Sequence, residues 1–201
     1  MSGDPFTRSP ALASPSPPSV VDPDADLMRR IASGDRLAYA HFVDRHLDRT
    51  VAVAQRITGR RADAEDIAQE VFLRVWTRAG QWEPGHGKVS TWLHRITVNL
   101  CLDHRRRPVH DGLDAASEPI DPSDDAVQRI ARAEEEAALA QAVAVLPERQ
   151  RAAVALTYDS GLSNQDAAAA LGVSIGSLES LLVRARRTLR SALRVWAGEG
   201  P

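Results

Sequence analysis

The fold is constrained most by residues 160–189, because their local signals all belong to a helix-turn-helix. This segment reads SGLSNQDAAAALGVSIGSLESLLVRARRTL. Ser163 followed three residues later by Asp166 is a capping-box start, and the alanines after it favour a helix. Gly172 supplies a turn, and Ser174 stands where it can cap a second helix. We therefore predict two helices joined by a tight turn.

The second of these helices carries two different faces. At about 100° per residue, its leucines, Ile175 and Ala185 fall on one arc. The opposite arc carries short polar side chains and arginines, which is typical of a recognition helix in a DNA major groove. The alternative is an amphipathic helical hairpin with a solvated basic face. The candidate DNA-binding residues of this segment are Gln165, Ser177, Glu179, Ser180, Val183, Arg184 and Arg187.

Charge is segregated along the chain, although the formal net charge is only -2. Ser174–Trp196 carries five arginines against one glutamate. Pro108–Asp125 carries six acidic residues and neither lysine nor arginine. This pattern indicates basic, DNA-facing units joined by an acidic connector.

Cysteine content and hydropathy indicate the cellular compartment. The single cysteine, Cys101, excludes an intramolecular disulfide and fits a reducing cytoplasm. No run of about 18 apolar residues predicts a membrane span, and the first residues lack the apolar core of a secretory signal. We expect a cytoplasmic protein without direct membrane insertion.

The hydrophobic periodicity predicts an all-α chain built from two small helical domains, the second ending in the helix-turn-helix. Six prolines among serines and alanines predict a disordered N-terminal extension over 1–25. The domains span 26–107 and 127–196, and we expect the flexible acidic linker 108–126 to be their only connection. The predicted helices are 26–33, 35–58, 63–79, 90–107, 127–145, 148–158, 163–171 and 175–195.

Asp63–Trp76 predicts a helix with one broad apolar face and one unusual polar stripe. The stripe consists of Asp66, Gln69, Glu70 and Leu73, and its leucine is set among carboxylates and an amide. Such a face is typical of a partner-binding surface. The alternative, a solvated acidic face with one exposed leucine, is equally consistent with the spacing.

Ser90–Arg107 predicts a helix with a stripe suited to nucleic acid. Trp92, Arg95, Asn99 and Arg106 fall within an arc of about 60°. A tryptophan stacks on an unpaired base, an asparagine contacts a base edge, and arginine binds phosphate. The alternative is a core tryptophan with a basic helix C-terminus. The candidate residues here are Lys88, Ser90 (also the expected helix cap), Thr91, Trp92, Arg95, Asn99 and Arg106.

Metal and catalytic sites find little support in the sequence. His94, Cys101 and His104 share one helix, but no second cluster offers the further ligands that zinc requires. The chain has no phosphate-cradling glycine loop and no arrangement of serine, histidine and aspartate that suggests nucleophilic catalysis. We expect no metal, no cofactor and no enzymatic activity.

Together these segments resemble one family, the extracytoplasmic-function (group IV) sigma factors of bacterial RNA polymerase. The resemblance covers most of residues 26–195 in the order found in the family. It implies a first domain that binds the polymerase and melts the −10 element, and a second domain that recognises the −35 element. The stretches that carry it are DAEDIAQEVFLRVW, STWLHRITVNLCLDHRRR, LPERQRAAVALTY and GLSNQDAAAALGVSIGSLESLLVRARRTL.

The resemblance also implies roles for single positions. Asp66, Gln69 and Glu70 match the surface for the polymerase β′ clamp helices. Gln81–Val89 matches a loop that captures a base flipped from the −10 non-template strand, and Trp92 and Asn99 match positions at the edge of the opened duplex. The implied partners are core RNA polymerase, through its β′ clamp helices and β flap, promoter DNA, and an anti-sigma factor, often membrane-anchored. The acidic linker resembles the segment that follows the RNA exit path.

The recognition helix departs from the commoner pattern of the family. Many relatives carry basic residues where this chain has Glu179 and Leu181. Glutamate accepts a hydrogen bond from cytosine N4, whereas arginine favours guanine. The −35 sequence of well-known members is therefore not expected here.

Two other functions remain as alternatives. One is a stand-alone helix-turn-helix transcriptional regulator, and the other is an adaptor or anti-sigma-type interaction protein. The first would have a phosphoacceptor or ligand domain upstream. Residues 26–107 instead form an all-helical unit with its own stripe suited to nucleic acid, which argues against that alternative.

Overall fold

The computed structural model describes residues 22–85, 87–104 and 137–196, and over these ranges the regular structure is entirely helical. This confirms the all-α class, while most of the predicted N-terminal extension and all of the predicted linker lie outside the described residues. The helices are α1 (Ala25–Ala32), α2 (Arg36–Thr58), α3 (Arg61–Arg78), a short 3-10 turn (Ala79–Gln81), α4 (Val89–His104), α5 (described over 137–144), α6 (Glu148–Val154, continued by a π turn over Ala155–Asp159), α7 (Asn164–Leu171) and α8 (Ile175–Trp196).

The N-terminal unit, α1 to α4, is organised around the long helices α2 and α3. Phe42 and Ile57 of α2, Val71 and Val75 of α3 and Val98 of α4 are fully buried. Each such side chain contributes about 1.5–3 kcal/mol through its removal from water. Burial of these faces leaves the polar stripes of α3 and α4 on the outside.

The start of α4 differs from the expectation. The helix begins at Val89, so Ser90 lies within its first turn and is not the cap. The N–H of Val89 instead donates to Oδ2 of Asp22 at 2.5 Å. A carboxylate is favourable there because the N-terminus of a helix carries partial positive charge. The segment before α1 thus holds in place the helix that carries the nucleic-acid stripe.

The helix-turn-helix of the C-terminal unit forms as predicted. The Ser163 hydroxyl accepts the N–H of Asp166 at 3.1 Å, and the Ser174 hydroxyl accepts the N–H of Ser177 at 3.2 Å. Gly172 lies between the two helices with φ 67°, a left-handed conformation that side chains disfavour. The axes of α7 and α8 are bent by 95° at this turn, which is ordinary for the motif.

The apolar arc predicted for α8 is buried at its centre, and Leu181 and Leu189 are half-buried. Leu178, Leu182 and Ala185 are at most 4% exposed, whereas Ile175 is 47% exposed. Ile175 is therefore a member of the predicted apolar arc that the core does not cover. It is the first residue of the helix, and the buried stripe starts about one turn later at Leu178.

The two units pack directly against each other, α2 against α6 and α4 against α7. Most of their buried apolar residues belong to one continuous cluster. The expectation that only the linker joins them is therefore wrong for this structure. Helix α7 is built largely of alanine, so a neighbouring helix can approach its axis closely.

No single helix among the described residues is long and apolar enough to cross a membrane, although α7 and α8 taken together as a bent pair reach the required length and composition.

The single thiol gives a direct test of this core. Cys101 is fully buried, and burial raises its pKa to about 12 from 9.0. Because the folded state favours the protonated thiol, this contribution to stability is complete below the unfolded-state pKa and is lost as pH rises toward 12. At pH 8 we expect Cys101 to resist maleimide in the native chain and to react fully in denaturant, as followed by mass spectrometry. Native labelling at the rate of a free thiol would contradict this packing.

Candidate nucleic-acid and partner interfaces

The polar stripe of α3 lies on the surface, as its spacing predicted. Asp66 and Gln69 are exposed, and Leu73 is 54% exposed. Glu70 is half-buried and accepts a hydrogen bond from Nε of Arg74 at 2.8 Å. The apolar side of α3 is buried in the core, so the stripe faces outward on a rigid helix. Its chemistry is that of a partner surface, with an apolar centre and an acidic surround.

An apolar groove that the sequence analysis missed runs beside this stripe, between α2 and α3. Gln69 and Leu73 form part of its wall, and its volume is about 890 Å³. Val43, Leu47 and Val51 of α2 form the opposite wall. Their spacing of four residues was the signal that could have found it. The α3 stripe is therefore the edge of a larger apolar surface.

The nucleic-acid candidates on α4 and just before it range from exposed to buried. Lys88, Arg95 and Asn99 are exposed, whereas Trp92 is half-buried and packs against the core. Ser90 is also half-buried, Thr91 is 8% exposed, and Arg106 falls outside the described residues. The tryptophan thus has both a structural contact and an accessible portion.

A small cavity joins this stripe to the loop before α4. Its volume is about 170 Å³, and Trp82 at its base is 9% exposed. The cavity brings together the loop and the helix face that the sequence analysis treated as separate features. Its lining residues are Gln81, Trp82, Glu83, Gly87, Lys88, Thr91, Trp92, Arg95 and Ala169.

Asp166 of α7 contacts two of the predicted nucleic-acid residues. Nζ of Lys88 lies 3.0 Å from Oδ2 of Asp166, and the Thr91 hydroxyl donates to Oδ1 at 3.2 Å. The Ser163 hydroxyl donates to Oδ2 at 2.9 Å. Burial by itself would raise the pKa of Asp166, but the hydrogen bonds from Lys88 and Ser163 outweigh it and hold this pKa below its ordinary value. The carboxylate is therefore ionised at neutral pH.

A second ion pair also links the two units. Nε of Arg56, in the last turn of α2, lies 2.9 Å from Oδ2 of Asp159 in the π turn after α6. Both side chains are about one third exposed, at 39% and 35%. Such a pair contributes modestly, on the order of 0.2–1 kcal/mol. Polar contacts therefore hold the units together at two separate places.

The predicted recognition face of α8 is accessible. Val183 is 62% exposed, and the other six candidates of this unit are exposed as well. Nε of Arg184 donates to the Ser180 carbonyl at 3.1 Å, which lays its side chain along the helix. Arg186 lies off this face, with Nη2 donating to the Tyr158 hydroxyl at 2.6 Å. A polar and basic surface is thus presented to solvent.

His94 and Cys101 of α4 are buried within the fold, whereas His104 at its end is half-buried. His94 is 5% exposed, and its Nδ1 lies 2.6 Å from the Ser90 carbonyl. Burial is the main cause that lowers the pKa of His94. Over residues 22–85, 87–104 and 137–196, no three His, Cys, Asp or Glu side chains are grouped so that they could hold a metal ion.

Comparison with known families and proteins gives a consistent result. The Sigma-70 region 2 model matches residues 42–108, and the Sigma-70 region 4 model matches residues 136–189. The ECF RNA polymerase sigma factor SigE of Mycolicibacterium smegmatis is 36% identical over 177 residues, which cover 84% of this chain and 67% of that protein. The ECF RNA polymerase sigma factor SigM of Mycobacterium tuberculosis is 37% identical over 174 residues, which cover 85% of this chain and 84% of that protein.

Two solved structures share the fold. CnrH in complex with the cytosolic domain of CnrY matches with a TM-score of 0.63 and 26% identity, over 86% of this chain and 97% of that one. The sigma factor RpoE in complex with the anti-sigma factor NepR, from Bartonella quintana, matches with a TM-score of 0.62 and 24% identity, over 78% of this chain and 97% of that one. The family models and the two sequence relatives confirm the function expected from the sequence. The chain belongs to the extracytoplasmic-function sigma factors, which are not a family of enzymes, and it is a promoter-recognising sigma factor of RNA polymerase.

Proposed function

We propose that three separate surfaces divide the work of this sigma factor. The α3 stripe binds core polymerase, the α4 stripe with its preceding loop binds and melts the −10 element, and the exposed arc of α8 recognises the −35 element. The observation that carries the proposal is the separation of chemistry. One acidic surface with an apolar centre lies on α3, whereas polar and basic surfaces lie on α4 and α8.

The polymerase surface is assigned from the exposure of Leu73. Leu73 is 54% exposed beside Asp66, Gln69 and Glu70, so about half of its side chain is available to a partner. Its contact with the apolar groove provides a continuous surface for a partner helix. We assign this surface to the β′ clamp helices and assign the C-terminal unit to the β flap. These assignments rest on surface chemistry and on the family.

The −10 surface is assigned from the small cavity beside Trp92. Lys88 and Arg95 contribute positive charge at its edge, and Trp92 contributes an aromatic ring. Aromatic stacking and backbone phosphate contacts are the usual means of binding single-stranded DNA. Asn99 is exposed about two turns further along α4 and supplies hydrogen-bonding groups for a base edge. Melting on this surface uses binding energy for the unpaired strand and needs no catalytic residue.

The −35 surface is assigned to the exposed residues of α7 and α8. Arg184 and Arg187 provide charge for phosphate or guanine, and Glu179 is a hydrogen-bond acceptor suited to cytosine. Ser177 and Gln165 lie near the helix starts, where the backbone of DNA is commonly contacted. Glu179 therefore distinguishes the preferred −35 sequence from those that basic residues would select.

Partners and domain limits follow from this division. We propose that 26–107 binds polymerase and the −10 element, that 127–196 binds the −35 element, and that 108–126 follows the RNA exit path. An anti-sigma factor is the proposed inhibitor, because the RpoE relative is solved in complex with one. A membrane-anchored inhibitor would hold the protein at the cytoplasmic face of the inner membrane.

The polymerase surface can be tested by substitution. We expect Glu70→Lys and Leu73→Ala each to weaken core polymerase binding by about fivefold or more, roughly 1 kcal/mol. Glu70→Lys does so through like-charge repulsion, and Leu73→Ala does so through lost apolar contact. Fluorescence anisotropy with labelled sigma factor measures the affinity. Asp44→Lys, at an exposed position on α2, is the matched charge reversal and should bind normally. Unchanged affinity in both stripe variants would remove the proposed role.

Promoter melting can be tested on α4. We expect the double variant Trp92→Ala, Asn99→Ala to bind core polymerase normally. We expect its yield of open complexes to fall by about fivefold or more, since each stacked base contributes about 1–3 kcal/mol. Permanganate reactivity of unpaired thymines measures melting. Trp92→Phe keeps an aromatic ring and should retain most of the activity. Full thymine reactivity in a stable double variant would return Trp92 to a purely structural role.

Recognition of the −35 element can be tested on α8. We expect Arg184→Ala to cost about 1–3 kcal/mol of promoter binding if the arginine pairs with a base. Glu179→Arg should change the −35 sequence returned by a promoter-library selection. Arg186→Ala is the control, because Arg186 is bonded to Tyr158 and lies off the recognition face. The same −35 motif from wild type and Glu179→Arg would refute the role of Glu179.

A further inference from the structure

The residue that precedes α4 cannot cap the helix with its own side chain. The N–H of Trp92 donates to the Lys88 carbonyl at 3.1 Å, so Lys88 occupies the cap position just before the first helical residue, Val89. This position favours serine, threonine, aspartate and asparagine, whose side chains accept a free N–H of the first turn. A lysine side chain carries three donors and no acceptor. The cap of α4 must therefore come from another part of the chain.

Asp22 supplies this cap from the segment before α1. Its Oδ2 accepts the N–H of Val89 at 2.5 Å, and its Oδ1 accepts the N–H of Asp24 at 2.9 Å. One oxygen is thus held by a local backbone group and the other by α4. The carboxylate therefore ties the first residue of α4 to the position of residues 22–24.

Asp24 anchors this segment to α2. Its side chain is only 6% exposed, Nε2 of His46 lies 2.8 Å from its Oδ2, and Nη1 of Arg45 donates to its Oδ1. Removing one partner from a buried charged group is costly, because the remaining charge is left uncompensated. Residues 22–24 are thus fixed to the long helix at the centre of the N-terminal unit and give Asp22 a firm support.

The loop before α4 adds little restraint of its own. Gly85 and Gly87 have φ values of 93° and 124°, which lie in the region that other residues rarely adopt. Glycines at such positions leave the backbone of the loop with wide conformational freedom. Burial of Val89 and its hydrogen bond to Asp22 both act on the first residue of the helix. Fraying of this turn would move Trp92, at the centre of the −10 surface.

We propose that Asp22 is a positioning residue for promoter melting, because its carboxylate replaces the missing local cap of α4 and so allows position 88 to carry a cation for DNA. A lysine at a cap position conflicts with local helix preference, and such conflicts are expected where function requires the residue. This inference rests on the proposed assignment of the α4 surface to the −10 element. It extends the melting machinery to a segment that precedes residues 42–108, which the region 2 model matches.

Substitution of Asp22 in the full chain tests this role. We expect Asp22→Ala to lower the yield of open complexes by about three- to tenfold, the range given by loss of a helix cap. Asp22→Asn keeps an acceptor without the charge and should melt the promoter at close to the wild-type level. Permanganate reactivity of unpaired thymines measures melting. Affinity for core polymerase should not change, because the α3 stripe is untouched.

Two further variants separate the cap from other effects. Asp26→Ala removes the same charge from an exposed site in the first turn of α1 and should leave melting unchanged. Asp22→Ser retains a local acceptor for the Asp24 N–H, but its oxygen lies one bond nearer the backbone and does not reach Val89. We expect it to fold and to share the melting defect of Asp22→Ala. Stronger DNA binding by Asp22→Ala and Asp22→Asn alike would indicate a purely electrostatic effect and would overturn the proposal.

Amide hydrogen exchange reports on the cap itself. We expect the Val89 amide to exchange about fivefold faster or more in Asp22→Ser than in wild type, while the amides around Phe42 in α2 keep their wild-type rates. Faster exchange in α2 together with weaker polymerase binding would mean that Asp22 only stabilises the fold. That result would also overturn the positioning role.

The melting measurements separate this inference from the assignment beneath it. Normal melting by Asp22→Ala and Asp22→Ser, with impaired melting by the double variant Trp92→Ala, Asn99→Ala, would overturn the positioning role and leave the −10 assignment in place. Normal melting by all of these variants would refute the assignment and the inference with it.

Discussion

Burial of the apolar faces of α2, α3 and α4 against one another fixes the direction in which the functional side chains of the N-terminal unit point. Phe42, Val71 and Val98 are fully buried at this contact. A rotation of any of these helices would expose them and would cost about 1.5–3 kcal/mol for each side chain. The α3 stripe and the α4 stripe are therefore held on defined surfaces. Asp22 adds a specific restraint by accepting the first N–H of α4.

The contact between the two units includes weaker interactions than the packing within the N-terminal unit. It combines two ion pairs, Lys88–Asp166 and Arg56–Asp159, with the packing of α7 on α4 and of α6 on α2. Partly exposed ion pairs each contribute on the order of 0.2–1 kcal/mol. A partner that binds only the separated arrangement shifts the population toward it by its differential affinity.

The sequence predicted local features well and long-range packing poorly. The caps at Ser163 and Ser174 and the turn at Gly172 depend on neighbouring residues, and all three formed as predicted. Exposure of the α3 stripe also followed from helical periodicity alone. The prediction that Ser90 caps α4 was wrong, because the cap comes from Asp22, which is 67 residues away along the chain. Likewise, the alanines of α7 have the same pattern whether they pack on α8 alone or also on α4, so docking of the units had no local signal.

The most direct test is the distance between the units in the free and polymerase-bound chain. Spin labels at Ala40→Cys on α2 and Ser191→Cys on α8 occupy exposed positions outside the proposed contact surfaces, and buried Cys101 remains unlabelled. Pulsed electron paramagnetic resonance then measures the distance between the labels. The account predicts one narrow, short distance in the free chain and a clearly longer one with core polymerase. The same distance distribution in both states would contradict the proposal that the α4 and α8 surfaces bind two separate promoter elements at the same time.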